Sequence, residues 1–120
     1  MSLDVYLTRD KWISYDEGKT HEIEKEELYW ANITHNLNMM AEEAGIYKHL
    51  WRPEEIGVTK ARQLIQPLLN GLALLKGDPD RFTPHNASNG WGMYEHFVPF
   101  VEEYLHACIE YSSADIRVSR

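Results

Sequence analysis

The sequence predicts an α+β domain in which a small antiparallel sheet joins the N- and C-terminal strands and about three helices pack on one face. Three observations lead there. Residues 3–8, LDVYLT, alternate Leu3, Val5 and Leu7 with Asp4, Tyr6 and Thr8, and residues 115–119, DIRVS, alternate Ile116 and Val118; both are the period-two signature of a strand with one buried face. Between them, apolar residues recur at helical spacing in three separate stretches.

Taken in order, residues 9–27 are charged, and Asp16-Glu17-Gly18 is their clearest turn signal, so this segment reads as an exposed excursion or hairpin. Leu28-Tyr29-Trp30 is a short β-prone run suited to pairing with the first strand. Asn32 is expected to cap the first helix, with Ile33, Leu37, Met40, Ala41 and Ala44 on its buried stripe and Gly45 as its left-handed end. The connector IYKHLWRPEEIG, residues 46–57, is expected to hold no more than a helical turn, because Arg52-Pro53 favours extended backbone. Thr59 is the expected cap of the next helix, which carries Ala61, Leu64, Ile65, Leu68, Leu72 and Leu75, is kinked at Pro67 and closes at Gly77. A polar loop should follow to Asn89. The last stripe, Tyr94, Phe97, Val98, Val101, Leu105 and Cys108, contains Pro99, which predicts a helix beginning near Val98 after a preceding turn.

The 120 residues suit a single domain, 1–120, of ordinary globular composition, 43% hydrophobic and 26% charged. No apolar run approaches the roughly 18 residues of a membrane span, and the opening MSLDVYLTRD lacks the basic and apolar regions of a secretory signal, so an intracellular location is expected. Asn32-Ile33-Thr34 and Asn86-Ala87-Ser88 are then chance matches to the glycosylation pattern. The lone Cys108 sits on an apolar stripe and reads as a buried thiol. A net charge of -7 argues against nucleic acid as a main partner. Much of the acid is concentrated in Asp16, Glu17, Glu22, Glu24, Glu26 and Glu27.

Two expected helix starts carry unusual polar content: ANITHN, residues 31–36, and NASNGWG, residues 86–92. A helix start offers unpaired amides and partial positive charge, which favours an anion or a carbonyl-rich ligand. Capping alone also explains Asn32, Thr34 and the Asn-rich loop, and Trp91 reads equally as a hydrophobic plug or a stacking face. His35 falls off the apolar stripe of its helix, in the position of a cleft residue. Neither a His-pair zinc motif nor a nucleotide or hydrolase fingerprint occurs, and Glu103 with His106 supplies only one half of a carboxylate metal site. No metal and no cofactor is expected.

SLDVYLT, ANITHNL, LWRPEEIG, NGWGMYEHFVPFVEEYL and the final VSR together resemble a family of small uncharacterised proteins encoded by phages and found in bacterial genomes. The resemblance implies a phage-associated protein in the cytoplasm of a bacterial host cell, and it carries no catalytic residue across. Three functions follow as expectations. The first is a binding module for a small polar, phosphorylated or nucleotide-like molecule, held by Asn32, Thr34, His35, Asn36, Asn89, Gly90, Trp91 and Tyr94, with Arg52 as phosphate partner. The second is an inhibitor that meets a host protein through acidic residues 16–27, and the third a small hydrolase with His35 as general base. A sheet edge or an exposed tryptophan would also suit a homodimer.

Overall fold

The computed structural model describes residues 1–15 and 20–120, without the side chains of Tyr15 and Thr20. The turn expected at Asp16-Glu17-Gly18 lies outside the described residues. Strands β1 (Ser2–Tyr15) and β2 (Thr20–Thr34) form a long antiparallel hairpin, and β3 (Asp115–Ser119) pairs antiparallel with β1, giving the order β2-β1-β3. The N- and C-terminal strands therefore lie side by side in one sheet, as the alternation of Leu3, Val5 and Leu7 against Ile116 and Val118 predicts. Tyr29 and Trp30 pair with Leu7 and Tyr6, and the register shifts between Leu7 and Thr8. Residues 9–15 and 20–27 are thus strand: the expected hairpin is there, but its strands are far longer than the apolar alternation alone marks.

Five helices and three 3-10 turns connect β2 to β3. A 3-10 turn at His35–Leu37 leads into α1 (Asn38–Glu43); α2 (Tyr47–Trp51) and a turn at Pro53–Ile56 follow. Next come α3 (Arg62–Gly77), α4 (Pro79–Phe82), a turn at Thr83–His85 and α5 (Tyr94–Glu110). The core is the inner sheet face, Leu3, Val5, Leu7 and Ile33, covered by residues such as Met40, Leu50, Trp51, Leu64, Leu68, Phe97, Val101 and Tyr104. The antiparallel sheet keeps its other face in contact with water, and there Arg117 stacks over Tyr6 at 4.1 Å while Trp30 Nε1 donates to Asp4.

Several expected boundaries move, each for a tertiary reason. Asn32 is not a helix cap: it lies within β2 opposite Asp4, and its Nδ2 donates to the Asp4 carboxylate at 2.8 Å. Thr34 performs the capping, its Oγ1 accepting from the Asn36 amide. Thr59 caps nothing either; its carbonyl accepts from the Ile116 amide, so the segment before α3 covers the outer edge of β3, and Gln63 Oε1 accepts from the amides of Thr59 and Lys60. The expected loop after Gly77 contains α4, because Phe82 is fully buried and draws that turn onto the core.

Helix α5 begins at Tyr94 and runs through Pro99, just as α3 runs through Pro67. Each proline removes one backbone donor, and the buried stripes on either side, Leu64 and Leu68 in α3 and Phe97 and Val101 in α5, keep the helix together. Gly71 lies where α3 crosses Ile46 so closely that a Cβ would meet its Cγ2 at 2.7 Å. Cys108 is buried, and burial pushes its thiol up to about 12. No helix among the described residues is long and apolar enough to cross a membrane.

Candidate functional site

The end of β2 and the loop before α5 are far apart in sequence and meet in space. Hairpin pairing brings Ser2 opposite Thr34, and the His35 amide donates to the Met1 carbonyl, which fixes where the chain leaves the sheet. The loop is organised by asparagines: Asn89 Oδ1 accepts from the Trp91 amide at 3.0 Å, and Asn86 Oδ1 accepts from the Tyr94 amide at 2.7 Å. Gly90 and Gly92 both have left-handed φ, which glycine adopts without strain.

Asn36 joins the two segments. Its Nδ2 donates to the Trp91 carbonyl at 2.8 Å, and a Cβ on Gly92 would come within 2.8 Å of the Asn36 Cβ. Gly92 is therefore needed for the two walls to touch. Gly90, by contrast, has open space around it.

Between these walls is a cleft of about 1010 Å³. Asn32, Thr34, His35 and Asn36 line one side, with Ile33 and Leu37 among them, and Asn89, Gly90 and Trp91 the other; Met1, Ser2, Gly92 and His96 complete it. Trp91 is 70% exposed and is not a plug in the core. Two of the expected residues are elsewhere. Arg52 is engaged with Tyr47 and Glu55 beside α2, and Tyr94 donates its hydroxyl to the Leu75 carbonyl at 2.6 Å; neither lines the cleft.

His35 has an unusual environment. The Trp51 indole N–H, which can only donate, reaches His35 Nδ1 at 3.0 Å, so the neutral imidazole carries its hydrogen on Nε2. That Nε2 is buried and has no hydrogen-bond partner among the described residues. Trp51 is itself held by stacking on Tyr47 and by Arg120, which donates to its carbonyl at 2.7 Å. The imidazole is thus a positioned donor with its second nitrogen unused.

Helix-start amides contribute less than expected. The first amide of α5 is occupied by Asn86, and α1 is a six-residue helix preceded by the 3-10 turn. None of the lining residues described is Lys, Arg, Asp or Glu, so the cleft has hydrogen-bonding and aromatic character without fixed side-chain charge. No group of three or more His, Cys, Asp or Glu side chains suited to a metal ion occurs among the described residues.

Sequence reasoning missed Met1, Ser2 and His96, which enter only through pairing and helix direction, and the role of Trp51. The NGWG stretch was the signal for Gly92. The chain matches no protein-family profile, no curated protein and no solved structure.

Proposed function

We propose that the chain is a non-enzymatic binding module whose cleft takes a flat, hydrogen-bonding small molecule of nucleobase-like shape. The observation that carries this reading is the exposed Trp91 indole in the same cleft as the hydrogen-bonding residues Asn32, Thr34, His35 and Asn36. His35 Nε2 is closed to solvent and has no partner among the described residues, which costs about 1–3 kcal/mol that a ligand carbonyl or ring nitrogen would remove only by displacing what covers it. Trp91 supplies a face for stacking, worth about 1–3 kcal/mol per base in aromatic platforms. With no Lys or Arg in the lining, the base-like portion of the ligand is the part recognised, and any phosphate it bears extends into solvent.

A phage-associated role follows from the sequence resemblance alone: such a module would sequester a small molecule of the host cell. The inhibitor reading draws less support, since Arg9 pairs with Glu26 and Lys25 interrupts the run of acids in the segment meant to present them.

Thermal shift against nucleobases, nucleosides, nucleotides and cyclic dinucleotides tests the proposal, together with mass spectrometry of small molecules released on denaturation. Base-containing compounds should raise the melting temperature, and Trp91→Ala, a change at an exposed site, should weaken binding at least tenfold while leaving the unliganded melt unchanged. A flat panel with no released molecule would overturn it.

A further inference from the structure

Strand β3 covers β1 only from Asp4 to Thr8, whereas the hairpin continues to Tyr15 and returns from Thr20. At roughly 3.3 Å per residue, the part of β1 beyond Thr8 extends about 23 Å past the third strand. The longest dimension of the molecule, 60 Å against 28 and 23 Å for the others, reflects this arm. An isolated two-stranded ribbon is marginal in water, and each edge of it displays unpaired amides and carbonyls. Trp12 and Ile23 sit directly opposite each other on one face of the arm, 67% and 52% exposed, with no core beneath them.

The two free edges differ in what they can pair with. Along β2, antiparallel self-pairing centred on Ile23 sets Glu22 against Glu24, and centring on Glu24 sets that residue against itself. Like charges directly opposite are destabilising, so this edge repels a copy of itself. The free edge of β1 runs from Arg9 to Tyr15, bounded at one end by β3, and Trp12 is its midpoint. Self-pairing that fills this edge is therefore centred on Trp12. It sets Asp10 opposite Ser14, Lys11 opposite Ile13 and Trp12 opposite Trp12, with no like-charged pair. The neighbouring register, centred on Lys11, would place two lysines face to face.

We infer that the β1 edge from Arg9 to Tyr15 is the docking surface for a second copy of this chain, forming a continuous antiparallel ribbon β2-β1-β1-β2 across a twofold axis at Trp12. The pairing extends the exposed apolar pair into a row, Ile23, Trp12, Trp12 and Ile23, along one face. It gives the arm the neighbouring strands it lacks.

Sedimentation velocity of the full chain should give a concentration-dependent species of twice the 14.1 kDa chain mass. Trp12→Lys, which brings two cations together at the axis without touching the core, should raise the dimer dissociation constant at least tenfold with an unchanged circular dichroism spectrum. Residues directly opposite across such a pair have Cβ atoms about 4.5–5.5 Å apart, so Trp12→Cys should be trapped as a covalent dimer by a short thiol-specific cross-linker. Ile23→Cys, on the other strand, should not. A monomer at every concentration, or equal trapping through Ile23→Cys, would overturn the inference, as would a monomer whose arm instead captures a basic peptide.

Discussion

The two halves of the hairpin are made from similar residues and have opposite fates. Near the termini, Leu3, Val5 and Leu7 alternate with polar residues and are completely buried beneath the helices; beyond Thr8, Trp12 and Ile23 stand in the same kind of strand and face solvent. Trp12, five residues beyond Leu7 on an unbroken strand, lies on the face of β1 opposite the core and shares it with Tyr6, whereas Arg9 and Lys11 continue the core face and are exposed because the helices do not cover that part of the sheet. One half is a floor for the core, and the other is a limb whose stability must come from cross-strand pairs and from whatever covers it.

The sharpest way to break this comparison is to truncate one apolar residue in each half. Leu7→Ala in the floor removes a fully buried side chain and should cost about 3 kcal/mol of unfolding free energy in chemical denaturation, within the range for such changes. A loss below about 1 kcal/mol would mean that the inner sheet face is not the core.

Alkali probes the same half more gently. Burial raises Tyr29 from 10.0 to about 12 and Cys108 from 9.0 to about 12. The unfolded chain then releases protons that the folded chain retains, so stability is intact below about pH 9 and falls as pH rises from there towards 12. Melting temperature against pH should show this decline, and Cys108 should stay unreactive to thiol reagents at pH 8 until the protein unfolds. Rapid labelling of the folded protein would contradict the buried assignment. Smallest of all, Trp12→Ala in the limb should move the core transition by less than about 0.5 kcal/mol when measured on dissociated protein, because an exposed side chain has no cavity to leave behind.

Residues at the cleft show where reading the sequence works and where it stops. NASNGWG and ANITHN stood out because asparagine and glycine clusters mark irregular backbone, and the fold does bring the two segments together around Asn36. Arg52 and Tyr94 were drawn in by chemical type and nearness in sequence. Nothing local could show that Arg52 turns to Glu55 and Tyr47, or that the Tyr94 hydroxyl is engaged by a carbonyl of α3. Asn32 is the plainest case: the residue that caps well in isolation is held in β2 because hairpin pairing sets it opposite Asp4.

By itself the sequence determined the α+β class, the terminal strands, the buried faces of the longer helices and the burial of Cys108, because each follows from a periodicity or composition contained in one stretch of chain. Tertiary structure decided how far the hairpin extends, where the helices start around Pro99 and Thr34, and that His35 receives the Trp51 hydrogen bond while its other nitrogen is left unpaired. Those features depend on contacts between residues distant in sequence, whose free energies exceed the small differences in local propensity that a single stretch can express.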